Sequence, residues 1–352
     1  MIVNPFPLSE MRKLIPNDRP AMVLAPMQDV TDLPFMRVLA RRSMPDWFVT
    51  EYFRVHPDSR LNTYILRSIT ENQTGRPIFA QLIGRDIAEL TRTAKELVQY
   101  PIAGVDLNLG CPAPVVYRKN AGGGLLRFPE QIDAILGALR DAIPTQFTVK
   151  ARLGFASSEE FPALLEVFKK HAIDGLTLHG RTVADRYQTP VQPDPVKLAV
   201  ETLPCPVIAN GNIVDATTAK NYHTQTGAAG LMIGRGAIRN PWLFEQIRST
   251  FKSDIEAPQP TFRDLLDYVK ELSEELAREH PAFDAHLHVQ RMKKTLIYIC
   301  DGIDPAFENA VRRMKTPAEF EQLFESNLNS SQPMPVLPSR ESRLFCGFSE
   351  LL

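Results

Sequence analysis

At 352 residues, 44% hydrophobic and 23% charged, the chain has the composition of an ordinary globular protein and excludes a disordered or fibrous one. A formal net charge of -1 gives no whole-molecule field toward nucleic acid or an anionic membrane, so an anionic partner has to be met by a local patch. Four scattered cysteines without a C-x-x-C pair, no basic-then-apolar leader in the first residues and no run of ~18 apolar residues set the expectation of a cytoplasmic protein with no metal site and no membrane contact.

The length suits one barrel of ~250 residues plus a smaller unit, because single cores stop growing at about 250 to 300 residues. Short apolar runs at 22–25, 47–51, 77–82, 104–108, 147–150, 175–179, 206–210 and 230–234 predict eight buried parallel strands. Between them the spacing is helical: Ile87, Leu90, Ala94 and Leu97, or Ile132, Ile135, Leu136 and Leu139, each put one apolar stripe against a sheet. Eight such units predict an α/β fold, a (β/α)8 TIM barrel over 1–255. An open doubly wound sheet would carry a glycine fingerprint after the first strand, where Pro26-Met27-Gln28 stands instead. Beyond the proline-containing stretch 256–260 only helical periodicity remains, with Phe262, Leu265, Leu266, Val269, Leu272 and Leu276 on one face. A smaller all-helical C-terminal domain is therefore expected over 256–330, its helix starts marked by Thr261 with Asp264 and by Thr316-Pro317-Ala318-Glu319. The Ser/Pro-rich tail, 331–352, is expected to be irregular.

In such a barrel the chemistry lies where the strands end. Those ends are polar here: Pro26-Met27, Glu51, Gln81, Asn108 followed by Cys111, Lys150 with Arg152, His179 with Arg181, Asn210-Gly211 and Gly234-Arg235-Gly236. One polar strand end is ordinarily a turn former, whereas a nearly complete ring of them points to a site. The last two fit a phosphate, since glycine lets backbone N–H groups approach an anion and Arg235 adds charge. Lys150 ends an apolar strand and points into the barrel mouth, where it either forms a Schiff base or stays charged beside an anion. Cys111 lies on a loop and not in an apolar helix; a free thiol titrates near ~8.5, so at neutral pH it is a candidate general acid. The segment after it, Arg118-Lys119-Asn120-Ala121-Gly122-Gly123-Gly124, reads as a basic, flexible loop able to move over a substrate. Cys205, Cys300 and Cys346 read as structural.

The ordered motifs Leu24-Ala25-Pro26-Met27, Thr50-Glu51-Tyr52, Gln81-Leu82-Ile83-Gly84, Asp106-Leu107-Asn108-Leu109-Gly110-Cys111-Pro112, Val149-Lys150-Ala151-Arg152-Leu153-Gly154, His179-Gly180-Arg181-Thr182, Ala209-Asn210-Gly211 and Ile233-Gly234-Arg235-Gly236 resemble those of the flavin-dependent tRNA-dihydrouridine synthases of bacterial type. The resemblance covers about residues 21 to 300, and the ordered set with His-Gly-Arg-Thr makes it specific. It implies FMN held by Pro26, Met27 and Gln28, by Gln81 at the pyrimidine edge, by Lys150 near N1 and by His179, with the phosphate on Asn210, Gly211, Asn212, Gly234 and Arg235. It further implies NADPH as electron donor, hydride delivery to C6 of a tRNA uracil and protonation of C5 by Cys111. Substrate contacts are expected from Asn108, Arg152, Arg181, Arg118, Lys119, Arg291 and Lys293, in a chain acting as a monomer.

Family members often carry lysine three and asparagine six residues after the cysteine, where this chain has Pro114 and Tyr117. The helical stretch is acidic on balance, yet Arg291-Met292-Lys293-Lys294 and Arg312-Arg313-Met314-Lys315 are candidate RNA-facing clusters. Two rivals stand beside the leading reading: a flavin enzyme of dihydropyrimidine or dihydroorotate type acting on a free base, and a Schiff-base lyase built on Lys150.

Overall fold

The computed structural model describes residues 11–252 and 256–349. The N-terminal stretch, the residues just before the expected boundary at 255/256 and the last three residues lie outside the described residues.

Nine strands, β1 (Ala21–Leu24), β2 (Trp47–Val49), β3 (Phe53–Arg54), β4 (Ile78–Ile83), β5 (Gly104–Leu109), β6 (Gln146–Arg152), β7 (Gly175–His179), β8 (Val207–Asn210) and β9 (Gly230–Ile233), alternate with helices, and all pair in parallel. The β2–β4 pairing closes a ring of eight, and β3 is the second half of the strand that β2 begins, both lying on the same edge of β4. The expected strand 47–51 is thus interrupted at Thr50-Glu51-Tyr52. This is the TIM barrel the pattern predicted, with β5 and β6 running one and two residues further than expected.

Alternation along the strands explains why the barrel needs both faces apolar and yet carries polar ends. Val105, Leu107, Leu109, Val149, Ala151, Leu176, Leu178 and Leu231 face the surrounding helices in the large core. Ala21, Val23, Trp47, Val49, Phe79, Ile208 and Met232 fill the interior, and Met11, from the turn Met11–Leu14, packs among them near Gly175, where β7 begins. The same inward face continues upward as Gln81, Asp106, Asn108, Thr148, Lys150, Arg152, His179 and Asn210, so one end of the barrel is sealed by hydrocarbon and the other is lined with polar groups.

The C-terminal region is helical, as expected: Phe262–Glu279, Ala285–Ile299, Pro305–Arg313 and Pro317–Leu328. Thr261 with Asp264 and Thr316 with Glu319 form reciprocal capping boxes, and Pro317 opens its helix. Helix Phe262–Glu279 lies against the barrel helix Leu33–Ala40, fastened by Arg41 to Glu275 at 2.7 Å and by Arg41 and Arg42 to Glu271. The tail after Leu328 has irregular backbone apart from a bridge between Thr261 and Pro333, but it is packed: Met334, Phe345 and Phe348 are buried.

Candidate active site

At the ends of the strands lies a cavity of about 470 Å³ lined by residues from the β1, β5, β6, β7, β8 and β9 ends. Pro26, Met27, Gln28, Asn108, Cys111, Lys150, Arg152, His179, Asn210, Gly211, Asn212, Gly234 and Arg235 all reach it, so most of the expected residues converge although they are spread over some two hundred positions of sequence.

Cys111 is held by a buried chain of polar groups. The Thr148 hydroxyl and Gln81 Nε2 donate to the two oxygens of Asp106 at 2.6 and 2.7 Å, and Asn108 Nδ2 donates to Gln81 Oε1 at 2.8 Å. Asn108 Oδ1 in turn accepts the backbone N–H groups of Gly110 and Cys111 at 3.0 and 2.9 Å, which fixes the turn carrying the thiol. Gln81 therefore lies beneath the cavity floor with both ends of its amide engaged and does not line the cavity, unlike its expected place at a ligand edge. Burial raises the Asp106 carboxyl above its ordinary range, against the lowering pull of the hydrogen bonds from Thr148 and Gln81.

The run Gly122-Gly123-Gly124, expected to be a flexible loop, is instead buried in a turn of 3-10 helix at 122–127. Its glycines are there for close approach. A Cβ on Gly123 would meet Val183 at 2.5 Å and the Cys111 carbonyl at 2.9 Å, and Gly122, at φ +54°, sits against Ile83, Val116 and Cys111. Arg118 and Lys119 are exposed and outside the cavity lining, while Pro114 begins the short helix Pro114–Tyr117 and Tyr117 packs edge-on against Phe155 at 5.5 Å.

The far side of the cavity is cationic. Lys150 Nζ donates to Asn210 Oδ1 at 3.2 Å, and burial, then the neighbouring Arg152, pull its pKa down to about 8. Arg152, 1% exposed, donates to the carbonyls of Gly110, Thr182 and Arg186. Arg181, fully buried behind the lining, donates to the carbonyls of Thr189 and Cys346 and to Asn212 Oδ1. Arg235 reaches Asn212 Oδ1 at 3.1 Å and lies between the rings of Tyr187, 4.6 Å away, and Phe345, 5.6 Å away. Burial lowers the pKa of all three guanidiniums, and His179, buried among these charges, is held well below the ordinary histidine range and stays neutral. Among the described residues, none of Lys150, Arg152, Arg181 and Arg235 forms an ion pair with a carboxylate. Arg152 and Arg181 are buried and Lys150 and Arg235 half-buried, and cations so placed without an ion pair are costly unless an anion completes the cluster. At the phosphate-like corner the backbone itself is unusual, Gly211 at φ +139° followed by Asn212 at φ +45°.

The helical region's expected contacts are placed differently. Arg291 is clamped by Asp29 at 2.8 Å and Asp32 at 2.6 Å, Lys294 joins Asp29 at 2.6 Å, and Lys293 donates to the Arg312 carbonyl at 3.0 Å. Spacing shows that residues share a helix face, but it does not show which barrel loop that face meets. Gln28 Nε2 donates to Glu51 Oε2 at 3.0 Å, and burial, then the charge of Asp32, push the Glu51 carboxyl up to about 8. Residues that sequence reasoning missed are Tyr52, Tyr187, Tyr298 and the tail residues Arg343, Leu344 and Phe345, all of which line the cavity. Tyr52 and Tyr187 follow strand-end motifs, which was the available signal; the tail offered none.

A family model described as dihydrouridine synthase matches residues 23–332. The chain is 29% identical to "tRNA-dihydrouridine synthase B" of Pasteurella multocida over 84% of its own length and 89% of that protein. It is 34% identical to the "tRNA-dihydrouridine(16) synthase" of Shewanella oneidensis over 65% and 75%, and 30% identical to that of Ralstonia nicotianae over 86% and 96%.

Proposed function

The chain belongs to the dihydrouridine synthase family, and from that premise we propose that it reduces the C5–C6 double bond of a uridine in tRNA to 5,6-dihydrouridine, using FMN and NADPH, with Cys111 as proton donor. The observation that carries the flavin reading is the cluster of buried Arg152 and Arg181 with half-buried Lys150 and Arg235, none in an ion pair with a carboxylate, at one end of a cavity of about 470 Å³. A ligand with an anionic ring edge and a phosphate matches that donor set. Asn210, Gly211, Asn212, Gly234 and Arg235 would hold the phosphate, Lys150 the ring edge, and Pro26, Met27 and His179 the remaining walls.

When held by these residues, FMN would supply hydride chemistry toward C6 of the uracil. Lys150 contributes a positive charge that its depressed pKa, about 8, still leaves largely in place at neutral pH. His179, neutral, adds an imidazole wall without another full charge. Asn108 orients the turn at Gly110 and Cys111, and Cys111 delivers its Sγ proton to C5, so hydride and proton together saturate the double bond. The stacked base has to be extruded from the tRNA, at a cost of a few kcal/mol that contacts to the tRNA backbone must offset. We assign those contacts to the helical region, 256–330, through the exposed Arg312, Arg313 and Lys315, and to Arg118 and Lys119 on the loop after Cys111. Arg291 serves in the seam between helices and barrel instead.

The test is an absorption spectrum of the purified protein followed by NADPH oxidation with and without unmodified tRNA. A flavin spectrum with tRNA-dependent turnover is expected. Flavin with turnover on free pyrimidines alone would transfer the reading to the free-base reductases, and a protein that takes up no FMN would return it to a lyase on Lys150. Cys111→Ala should retain flavin and lose at least about 100-fold in dihydrouridine formation; unchanged turnover would remove Cys111 as the acid.

A further inference from the structure

The segment that matches the family ends at residue 332, yet the chain beyond it enters the cavity. Arg239, 2% exposed, draws the tail in by donating to the carbonyls of Val336 and Leu337 at 2.7 and 2.8 Å. Asp301 then accepts the Ser339 N–H at 3.2 Å and the Ser342 hydroxyl at 2.6 Å. From there Phe345 and Phe348, 1% and 2% exposed, are seated with Val214, and Phe345 meets Tyr298 edge-on at 6.2 Å. On either side of Phe345 the tail turns its carbonyls to the cationic corner: Leu344 accepts from Arg235, and Cys346 accepts from Arg181 at 3.1 Å and from Asn212 Nδ2 at 2.7 Å.

We propose that the tail, residues 339–348, is this chain's own wall for the phosphate end of the cofactor cavity, holding Arg235, Arg181 and Asn212 in the orientation that receives a flavin phosphate. Neutral carbonyls suit the task. They satisfy guanidinium donors that burial would otherwise leave without partners, and unlike carboxylates they leave the positive charge free to act on a ligand. The double seat of Phe345 and Phe348 makes the arrangement a fixed part of the barrel mouth, and it accounts for the buried aromatic pair in a stretch whose composition predicts no order. This inference rests on the flavin reading, so its experiment measures both.

The experiment titrates full-length apoprotein with FMN and with riboflavin, which lacks the phosphate, by quenching of flavin fluorescence. It then repeats both titrations on two variants whose folding is checked by circular dichroism. The first is truncated after Leu337. The second, Gly347→Val, keeps the whole chain but disturbs its seat, because Gly347 stands at φ +68° and a Cβ there would lie 3.0 Å from Pro190 N and the Thr189 carbonyl. The expected result is a preference for FMN over riboflavin in the full-length protein that falls at least tenfold on truncation and in the same direction with Gly347→Val, riboflavin affinity changing far less. Should the truncated chain not fold, Gly347→Val decides alone. An unchanged FMN-to-riboflavin ratio in a folded variant overturns the proposal, as does tighter FMN binding, which would mark the tail as a competitor for the site. Full-length protein that binds neither flavin overturns the flavin reading itself.

Discussion

Two regions of this protein gather arginines, and they partner them in opposite ways. In the seam between barrel and helical region every such cation meets an acid: Arg291 with Asp29 and Asp32, Arg41 and Arg42 with Glu271, Arg67 with Glu279 at 3.0 Å. At the cavity the cations meet carbonyls, amides and aromatic faces, and no carboxylate closes the charge. The seam is complete in itself and joins two parts of the chain; the cavity keeps its charge for something that arrives. The same side chain is glue in one place and a receptor in the other, and the sign of its neighbours decides which.

The largest effect expected from this contrast is at Lys150. Lys150→Met should weaken FMN binding by about 100-fold, the equivalent of ~2.7 kcal/mol for a charged hydrogen bond lost in a buried site. In the unaltered protein FMN affinity should fall as pH rises through about 8, where burial lets the ammonium lose its proton, and the variant should show no such fall. A pH-independent affinity in the unaltered protein would remove Lys150 from the anion site. The seam should answer differently. Arg291→Met leaves Asp29 and Asp32 short of a partner and should cost about 2 kcal/mol in denaturant unfolding, with FMN affinity unchanged. If stability holds and only tRNA affinity drops, Arg291 is an RNA contact after all.

The last effect concerns Glu51, at the border of the two regions, and it depends on pH. Its carboxyl is raised to about 8 by burial and by Asp32, whereas unfolded it titrates near the ordinary glutamate value of 4.5. Between those values the folded chain holds a proton that the unfolded chain has lost, so Glu51 lowers stability progressively as pH climbs from about 4.5 to about 8. Glu51→Gln, which retains an acceptor for Gln28, should therefore gain stability over the parent progressively from pH 4.5 to pH 8 and be close to it near pH 4.5. Thermal melts at the two pH values check this, and an equal difference at both would show that Glu51 titrates normally.

Much of the fold and much of the site was legible in the chain itself. Strands buried on both faces must be continuous apolar runs, and helices covering them must carry a stripe at 3.6-residue spacing, so eight βα units could be counted without coordinates. A strand also forces its alternate side chains to one side, which is why Lys150 and Arg152 could be placed together at the mouth. What sequence does not contain is the partner of each polar group. Gln81 was a strand-end glutamine, and only packing showed that Asp106 and Asn108 take both its ends. The glycines after Cys111 read as flexibility, and only the proximity of Val183 and the Cys111 carbonyl turned them into close packing. Arg291 read as a basic helix face until Asp29 and Asp32, some two hundred and sixty residues earlier, were seen against it. The tail is the plainest case: its Ser/Pro-rich backbone has no local preference to declare, and its place at the cavity comes from two buried rings and a few carbonyls meeting donors from distant strands. Local periodicity is written residue by residue, whereas charge compensation and burial are properties of neighbours that only the folded chain brings together.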